Sequence, residues 1–252
     1  MKDIILEGRG LCKTFTNGQV STHVIRNLDI EIKKGDFTVI MGASGAGKST
    51  LLYMLSGIDS VTSGEIELGT NRIDKLNENE MAKIRRNDIG FVFQEPNLLD
   101  DFTVFENIAM SGYLASKDRK AVDERCRSLL ELVDIAEQAD KYPSQLSGGQ
   151  KQRAAIVRSL INNPAILFAD EPTGALNAAM SETVLDLLTK VHEQKQSILM
   201  VTHDIKAASR GSRLLYIKDG KIDGELLLNQ FETDRVEDRE KQVFDFIMSK
   251  GW

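Results

Sequence analysis

The chain has 252 residues, 41% of them hydrophobic and 28% charged, and a formal net charge of −6. That length holds one large domain or a core domain with a subdomain. The composition is that of an ordinary globular chain, and the acidic balance argues against general affinity for nucleic acid. Cys12 and Cys126 lie far apart and form no C-x-x-C pair, so two reduced, buried thiols are expected. Lys2 and Asp3 precede only a short apolar run, which is not a secretory pattern. No apolar stretch is long enough to cross a bilayer, so any membrane role is expected to come through a partner.

In chain order, residues 4–41 read as one β-rich layer. Ile4-Ile5-Leu6-Glu7 and the segment from Val24 to Ile32 have strand character, with Asn17-Gly18 as a turn signal between them. Phe15 fits two roles, a core aromatic or a ring stacked on an adenine. Phe37-Thr38-Val39-Ile40-Met41 is a short apolar run expected to be a buried parallel strand. It leads into Gly42-Ala43-Ser44-Gly45-Ala46-Gly47-Lys48-Ser49, the G-x-x-x-x-G-K-S spacing of a phosphate-binding loop, and Thr50 continues into a helix. Glycines let backbone N–H groups approach a polyphosphate, and the helix N-terminus adds unpaired donors and partial positive charge. Lys48 can reach the β- and γ-phosphates, and the Ser49 hydroxyl can ligate Mg2+.

Residues 65–68 read as another strand, and Asn77 as the cap of a polar helix through Arg86. Residues 89–94 read as a strand ending in the amide of Gln94. From Pro96 to about Gln145 the pattern is helical, with Thr103 capping 104–115 and Val122, Cys126, Leu129, Leu130 and Val133 on one face of the next helix. Leu146-Ser147-Gly148-Gly149-Gln150 opens a helix through Ile161. A buried strand at 165–169 ends in Asp170-Glu171, a helix follows at 181–193, and a further buried strand at 197–203 ends in His203. Asp219-Gly220 signals a hairpin, and Val236, Val243, Phe244 and Ile247 in the charged tail are spaced as in an amphipathic helix.

Open α/β sheets place ligands at the carboxyl ends of their strands. There Asp170 can hold Mg2+ through water, Glu171 can orient and polarise an attacking water, and His203 can lie near the γ-phosphate. Ser147 and the glycine N–H groups after it form a second anion site at a helix N-terminus. Two phosphate-binding surfaces with only one nucleotide loop imply a head-to-tail dimer, in which Ser147 of each copy faces the nucleotide held by Lys48 of the other.

Taken together, residues 42–49, Gln94, 146–150, Asp170-Glu171 and His203, in this order, resemble the ATP-binding subunit of ABC transporters. The resemblance covers about residues 1–225. It implies an α/β P-loop NTPase fold of the ABC ATPase type: a mixed central sheet, an N-terminal antiparallel β subdomain and a helical subdomain inserted at about 96–158. Residues 226–252 are then a C-terminal extension. The resemblance also implies ATP and Mg2+ as cofactors, Phe15 as the adenine-stacking aromatic, and Gln94 as a Mg2+-sensing residue that signals to the helical subdomain. Further implied are an ATP-formed homodimer, a multi-span membrane permease as partner, no nucleic acid, and a peripheral position on the cytoplasmic side of the membrane.

Leu55-Ser56-Gly57-Ile58-Asp59, Phe93-Gln94-Glu95-Pro96-Asn97-Leu98-Leu99 and Thr103-Val104-Phe105-Glu106-Asn107 resemble the macrolide-exporter, lipoprotein-release and cell-division branch. Residues 169–176 and Asp238-Arg239-Glu240 with Phe244 are most similar to its bacitracin-resistance-type ATPases. The chain departs from the family at Asn177, where the family usually has Asp. Competing expectations are an ABC ATPase driving a regulatory or cell-envelope complex without transport, a P-loop small-molecule kinase, and an ABC protein acting on DNA or ribosomes. Residues 146–150 argue against the kinase. The last class needs a long coiled-coil insertion or a second cassette, and this sequence shows neither.

Overall fold

A computed structural model describes residues 3–18, 20–229 and 231–252. The elements run β1 (Ile4–Asn17), β2 (Val20–Lys33), β3 (Phe37–Met41), α1 (Lys48–Leu55), β4 (Ser63–Leu68), β5 (Asn71–Arg72), α2 (Glu78–Asn87) and β6 (Ile89–Val92). They continue through α3 (Val104–Ala115), α4 (Arg119–Leu132), α5 (Gly148–Leu160), β7 (Ile166–Asp170) and α6 (Ala178–Glu193). The chain closes with β8 (Ser197–Val201), α7 (Ile205–Ala208), β9 (Arg213–Lys218), β10 (Lys221–Leu227) and α8 (Val236–Ser249). Two compact units form, one from Met1–Met81 with His192–Trp252, the other from Ala82–Val191.

The first unit holds an antiparallel sheet in the order β2-β1-β4-β5. In β2, buried Leu28, Ile30 and Ile32 alternate with exposed Asp29 and Glu31, the period-two pattern of a strand with one buried face. The same unit holds the strand group β10-β9-β3-β8. All five residues of β3 are buried, and β3 lies parallel between β8 and β9, as its unbroken apolar run predicts. β10 turns back antiparallel to β9 through Asp219 (φ 50°) and Gly220 (φ 74°), both left-handed, as the hairpin signal requires. Because β3 and β8 are parallel, the phosphate loop and His203 leave the same end of this group.

In the second unit β6 and β7 are parallel, with Val92 opposite Ala169 at their carboxyl ends. Gln94 and Glu171 follow those ends. Val122, Cys126, Leu129 and Leu130 form the buried face of α4, as their spacing predicts. Thr103 caps α3 through a reciprocal box: its hydroxyl accepts the Glu106 N–H at 3.2 Å while Glu106 Oε2 accepts the Thr103 N–H at 2.8 Å.

Several expectations are corrected. Residues 4–41 are not one layer: β1 and β2 belong to the antiparallel sheet and β3 to the other group. β1 is far longer than its first apolar run, because β2 pairs with it from Ile4 to Asn17 and β4 covers its other edge. The strand before Gln94 ends at Val92 and that before His203 at Val201. At the latter, the Thr202 hydroxyl accepts the Asp204 N–H at 3.0 Å and turns the chain out of the strand. Helix α6 begins at Ala178, earlier than expected, because Asn177 caps it. Of the two thiols, Cys126 is buried and Cys12 only partly so.

Candidate nucleotide-hydrolysis site

The phosphate loop is held by its two ends. Gly47 sits at the N-cap of α1 with φ 96°, a left-handed conformation, and its carbonyl starts the helix by accepting the Leu51 N–H at 2.8 Å. A Cβ at Gly47 would lie 2.8 Å from the Ile25 side chain, so glycine is demanded by space as well as by conformation. The first turn of α1 has no acidic residue, leaving its positive end uncompensated by its own helix. Lys48 Nζ reaches back across the loop and donates to the Gly42 and Ala43 carbonyls at 2.8 and 3.0 Å, aiming its charge at the loop mouth. Beside the loop opens a cleft of about 310 Å³ lined by Ala43–Ala46 of the loop with Arg26, Lys218 and Asp219. These last three were not legible in the sequence: they reach the cleft from β2, the end of β9 and the 219–220 turn, and the Arg26 N–H ties β2 to that turn by donating to the Gly220 carbonyl at 3.0 Å.

Phe15 lies on β1 with 48% of its surface exposed, which rules out the core role. The Lys13 ammonium lies 5.0 Å from its ring centroid. Lys13 is itself anchored by Asp59 at 2.6 Å, from the stretch that follows α1. His203 is exposed, between the Thr202 turn and Asp204, whose carboxylate accepts the Lys206 N–H at 2.9 Å and caps α7.

The remaining residues singled out from the sequence lie in the second unit. Asp170 ends β7 almost fully buried, at 8% exposure. Glu171 follows with φ 44°, a left-handed conformation rarely held by a residue with a side chain and concentrated at functional sites. The Glu171 carbonyl accepts the Gly174 N–H at 3.0 Å, closing a turn that folds Gly174 under the acid. A Cβ on Gly174 would stand 2.9 Å from Gln94 Nε2 and 3.3 Å from Glu171 Oε2, so the two side chains converge over this glycine.

Ser147 is the N-cap of α5: its hydroxyl accepts the Gln150 N–H at 3.3 Å, and Gln150 Oε1 accepts the Ser147 N–H at 2.9 Å. The cap uses the hydroxyl as an acceptor, so its proton can be donated outward. Gln152 and Arg158 of the same helix hold the Gln94 segment, donating to the carbonyls of Phe93 at 2.9 Å, Asn97 at 2.7 Å and Pro96 at 2.8 Å. Burial lowers the pKa of Arg158 from its ordinary value. These ties too were missed, because they join residues far apart in the chain.

A glycine-rich loop between a buried parallel strand and a helix, a strand ending in Asp-Glu, and a capped Ser-Gly-Gly helix start define the ATPase class of ABC transporters. Residues 25–174 match the family model described as ABC transporter, and the chain belongs to that family: it binds ATP and couples its hydrolysis to transport. It is 44% identical over 219 residues to the bacitracin export ATP-binding protein BceA of Halalkalibacterium halodurans, covering 86% of this chain and 87% of that one. The uncharacterized ABC transporter ATP-binding protein MJ0796 of Methanocaldococcus jannaschii is 39% identical over 229 residues, 89% of this chain and 97% of that one.

The dimeric post-hydrolysis structure of MJ0796 bound to ADP and Pi superposes with a TM-score of 0.81 at 37% identity, covering 90% of this chain and all of that one (100%). The cbiO1 structure from Clostridium perfringens, part of the ABC transporter complex cbiONQ, gives a TM-score of 0.81 at 28% identity, covering 97% and 92%. Among the described residues, no helix is long and apolar enough to cross a membrane.

Proposed function

We propose that this chain is the ATP-hydrolysing subunit of an antimicrobial-peptide resistance exporter, working as an ATP-formed homodimer on the cytoplasmic face of a multi-span permease. The observation that carries the reading is the 44% identity to a bacitracin export ATP-binding protein over nearly the whole of both chains. Phe15 stacks on the adenine. Backbone N–H groups from Gly42 to Thr50 cradle the triphosphate at the start of α1, and Lys48 turns from its loop carbonyls to the β- and γ-phosphates.

Ser49, Gln94 and, through water, Asp170 would hold Mg2+: a hydroxyl, an amide carbonyl and a carboxylate are hard oxygen donors suited to that ion. The ion would offset the triphosphate charge. Glu171 orients the attacking water and takes its proton, and His203 contacts the γ-phosphate. Leu146, Ser147, Gly148, Gly149 and Gln150 present the start of α5 to the nucleotide of the partner copy. The segment from Gln94 to about Ala115, with Leu99, Met110 and Leu114 exposed on it, receives the permease.

The test is reconstitution of the chain with its permease in vesicles. Bacitracin or a related peptide should stimulate ATP hydrolysis and move across the bilayer. A complex whose ATPase responds to peptide without any flux would replace export by signalling. One indifferent to peptides in both measurements would remove the substrate class.

A further inference from the structure

His203 stands on a segment that cannot hold its own shape. It is followed at once by α7, Ile205–Ala208, a single helical turn. One turn lies below the length at which helix formation compensates its nucleation cost, so tertiary contacts must maintain it. At its start the Asp204 cap is only local, its carboxylate accepting the Lys206 N–H two residues on. At its end the Ser209 carbonyl and the Gly211 carbonyl beyond it both accept from the buried guanidinium of Arg239, at 2.8 and 2.6 Å. A third bond from the same group, at 2.6 Å, holds the Asn229 carbonyl. A cation is the group best suited to the orphan carbonyls at a helix C-terminus.

Arg239 lies in α8, beyond residues 25–174 matched by the family model. Its guanidinium carbon is 5.4 Å from the Phe231 ring centroid, and that of Arg210 is 4.4 Å from the same ring. One residue past Gly211, Ser212 donates its N–H to the Phe37 carbonyl at 2.8 Å, at the start of the strand that delivers the phosphate loop. The return of the chain after α7 is thus gripped by Arg239 of the C-terminal extension and by β3.

We infer that Arg239 is a positioning residue for ATP hydrolysis: by clamping the carbonyl end of α7, the C-terminal extension sets the place of His203. The inference rests on the role given to His203 above. It assigns the tail a part in the chemistry, beyond that of a stabilising appendage.

Single-turnover ATP cleavage by the full-length chain tests it, in Arg239→Met, Arg239→Lys, His203→Ala and the double variant Arg239→Met/His203→Ala, alongside ATP binding and thermal unfolding of each. Arg239→Met should cleave about 10 to 100 times more slowly, the scale expected when a reacting group is displaced by about an ångström. Its ATP affinity should stay within about twofold of the parent, because the phosphate loop is untouched. Arg239→Lys, which keeps the charge and can reach some of the carbonyls, should fall between the two. The double variant should cleave no more slowly than His203→Ala alone, since the tail then has nothing left to position. Rate losses that multiply in the double variant, or an Arg239→Lys protein that folds yet cleaves no faster than Arg239→Met, would overturn the inference. A slow His203→Ala beside a normal Arg239→Met would overturn it alone. A His203→Ala protein with parental cleavage would remove the role of His203 itself and the inference with it.

Discussion

The side-chain oxygen of Asn177 accepts the backbone N–H of Met180 at 3.0 Å, and its carbonyl accepts the Ser181 N–H at 2.9 Å, so Asn177 is the N-cap of α6. Asn and Asp cap helices equally well. Asn177→Asp is therefore a clean change: it keeps the cap and adds only a charge. Leu176 and Met180, on either side of it in the chain, lie against Gly148 and Gly149 at the start of α5, so in the proposed dimer that charge would fall beside the triphosphate of the partner copy. Coulomb repulsion should then loosen the ATP-bound dimer and raise turnover at an unchanged thermal midpoint. Asn177→Ala should instead lose about 1 kcal/mol of stability with the cap. Steady-state ATPase rates of the full complex and light scattering with ATP check both, and identical values for Asn177→Asp would reduce Asn177 to a cap.

Gly174→Ala should separate chemistry from folding. The new methyl would meet the ends of the Gln94 and Glu171 side chains, which can swing away, so the fold should survive. The acid and the amide would then be misplaced, and hydrolysis should drop by about tenfold or more. ATP binding should hold. A variant with parental turnover would mean that the convergence of Gln94 and Glu171 on this glycine is incidental.

Glu171→Gln should bind ATP yet hydrolyse it roughly 10²–10⁴ times more slowly, the usual size of a general-base contribution. It should elute as a dimer with Mg-ATP and as a monomer with ADP. Lys48→Ala should lose nucleotide binding itself, because the charge aimed at the loop mouth is gone. Near-normal turnover in Glu171→Gln would take the water-activating role from this residue.

Permease docking is best probed on α3, though not at its most obvious charge. Glu106 accepts from the Thr103 N–H and hydroxyl, contacts that pull its pKa below the usual carboxylate range. Reversing its charge would unmake the cap of α3 and confuse folding with docking. Met110→Glu and Leu114→Glu act on side chains exposed on the same helix, at 41% and 64%. Both should weaken copurification with the permease while leaving ATP binding intact. Unaltered pull-down would move the docking face elsewhere.

The thiols should differ in reactivity. Burial pushes the Cys126 pKa up to about 12, so at pH 8 it stays a thiol and a poor nucleophile. Cys12, partly exposed, should be the thiol titrated by a disulfide reagent in the native protein. A folded-state pKa raised above its reference of 9.0 contributes stability in full below pH 9 and loses it as pH climbs towards 12. Cys126→Ser should flatten that alkaline decline, and rapid labelling of Cys126 at pH 8 would contradict its burial.

What the sequence alone determined is what depends on neighbours in the chain. The phosphate loop between β3 and α1, the Thr103 cap of α3, the Ser147 cap of α5 and the left-handed Asp219-Gly220 turn are all local. Glycine spacing, capping boxes and apolar runs act over a few residues, so they can be read without a fold. Tertiary structure decided what depends on partners far along the chain. Pairing with β2 and β4 drew β1 out to Asn17, with Leu6 opposite Leu68, and separated it from β3. The same layout left Phe15 half exposed and brought Arg26 and Lys218 to one cleft. Arg239 sits among charged tail residues that look alike in sequence, and only the carbonyls of Ser209, Gly211 and Asn229 around its guanidinium single it out. A buried charge is tolerated where such acceptors converge on it, and their convergence is a property of the folded chain.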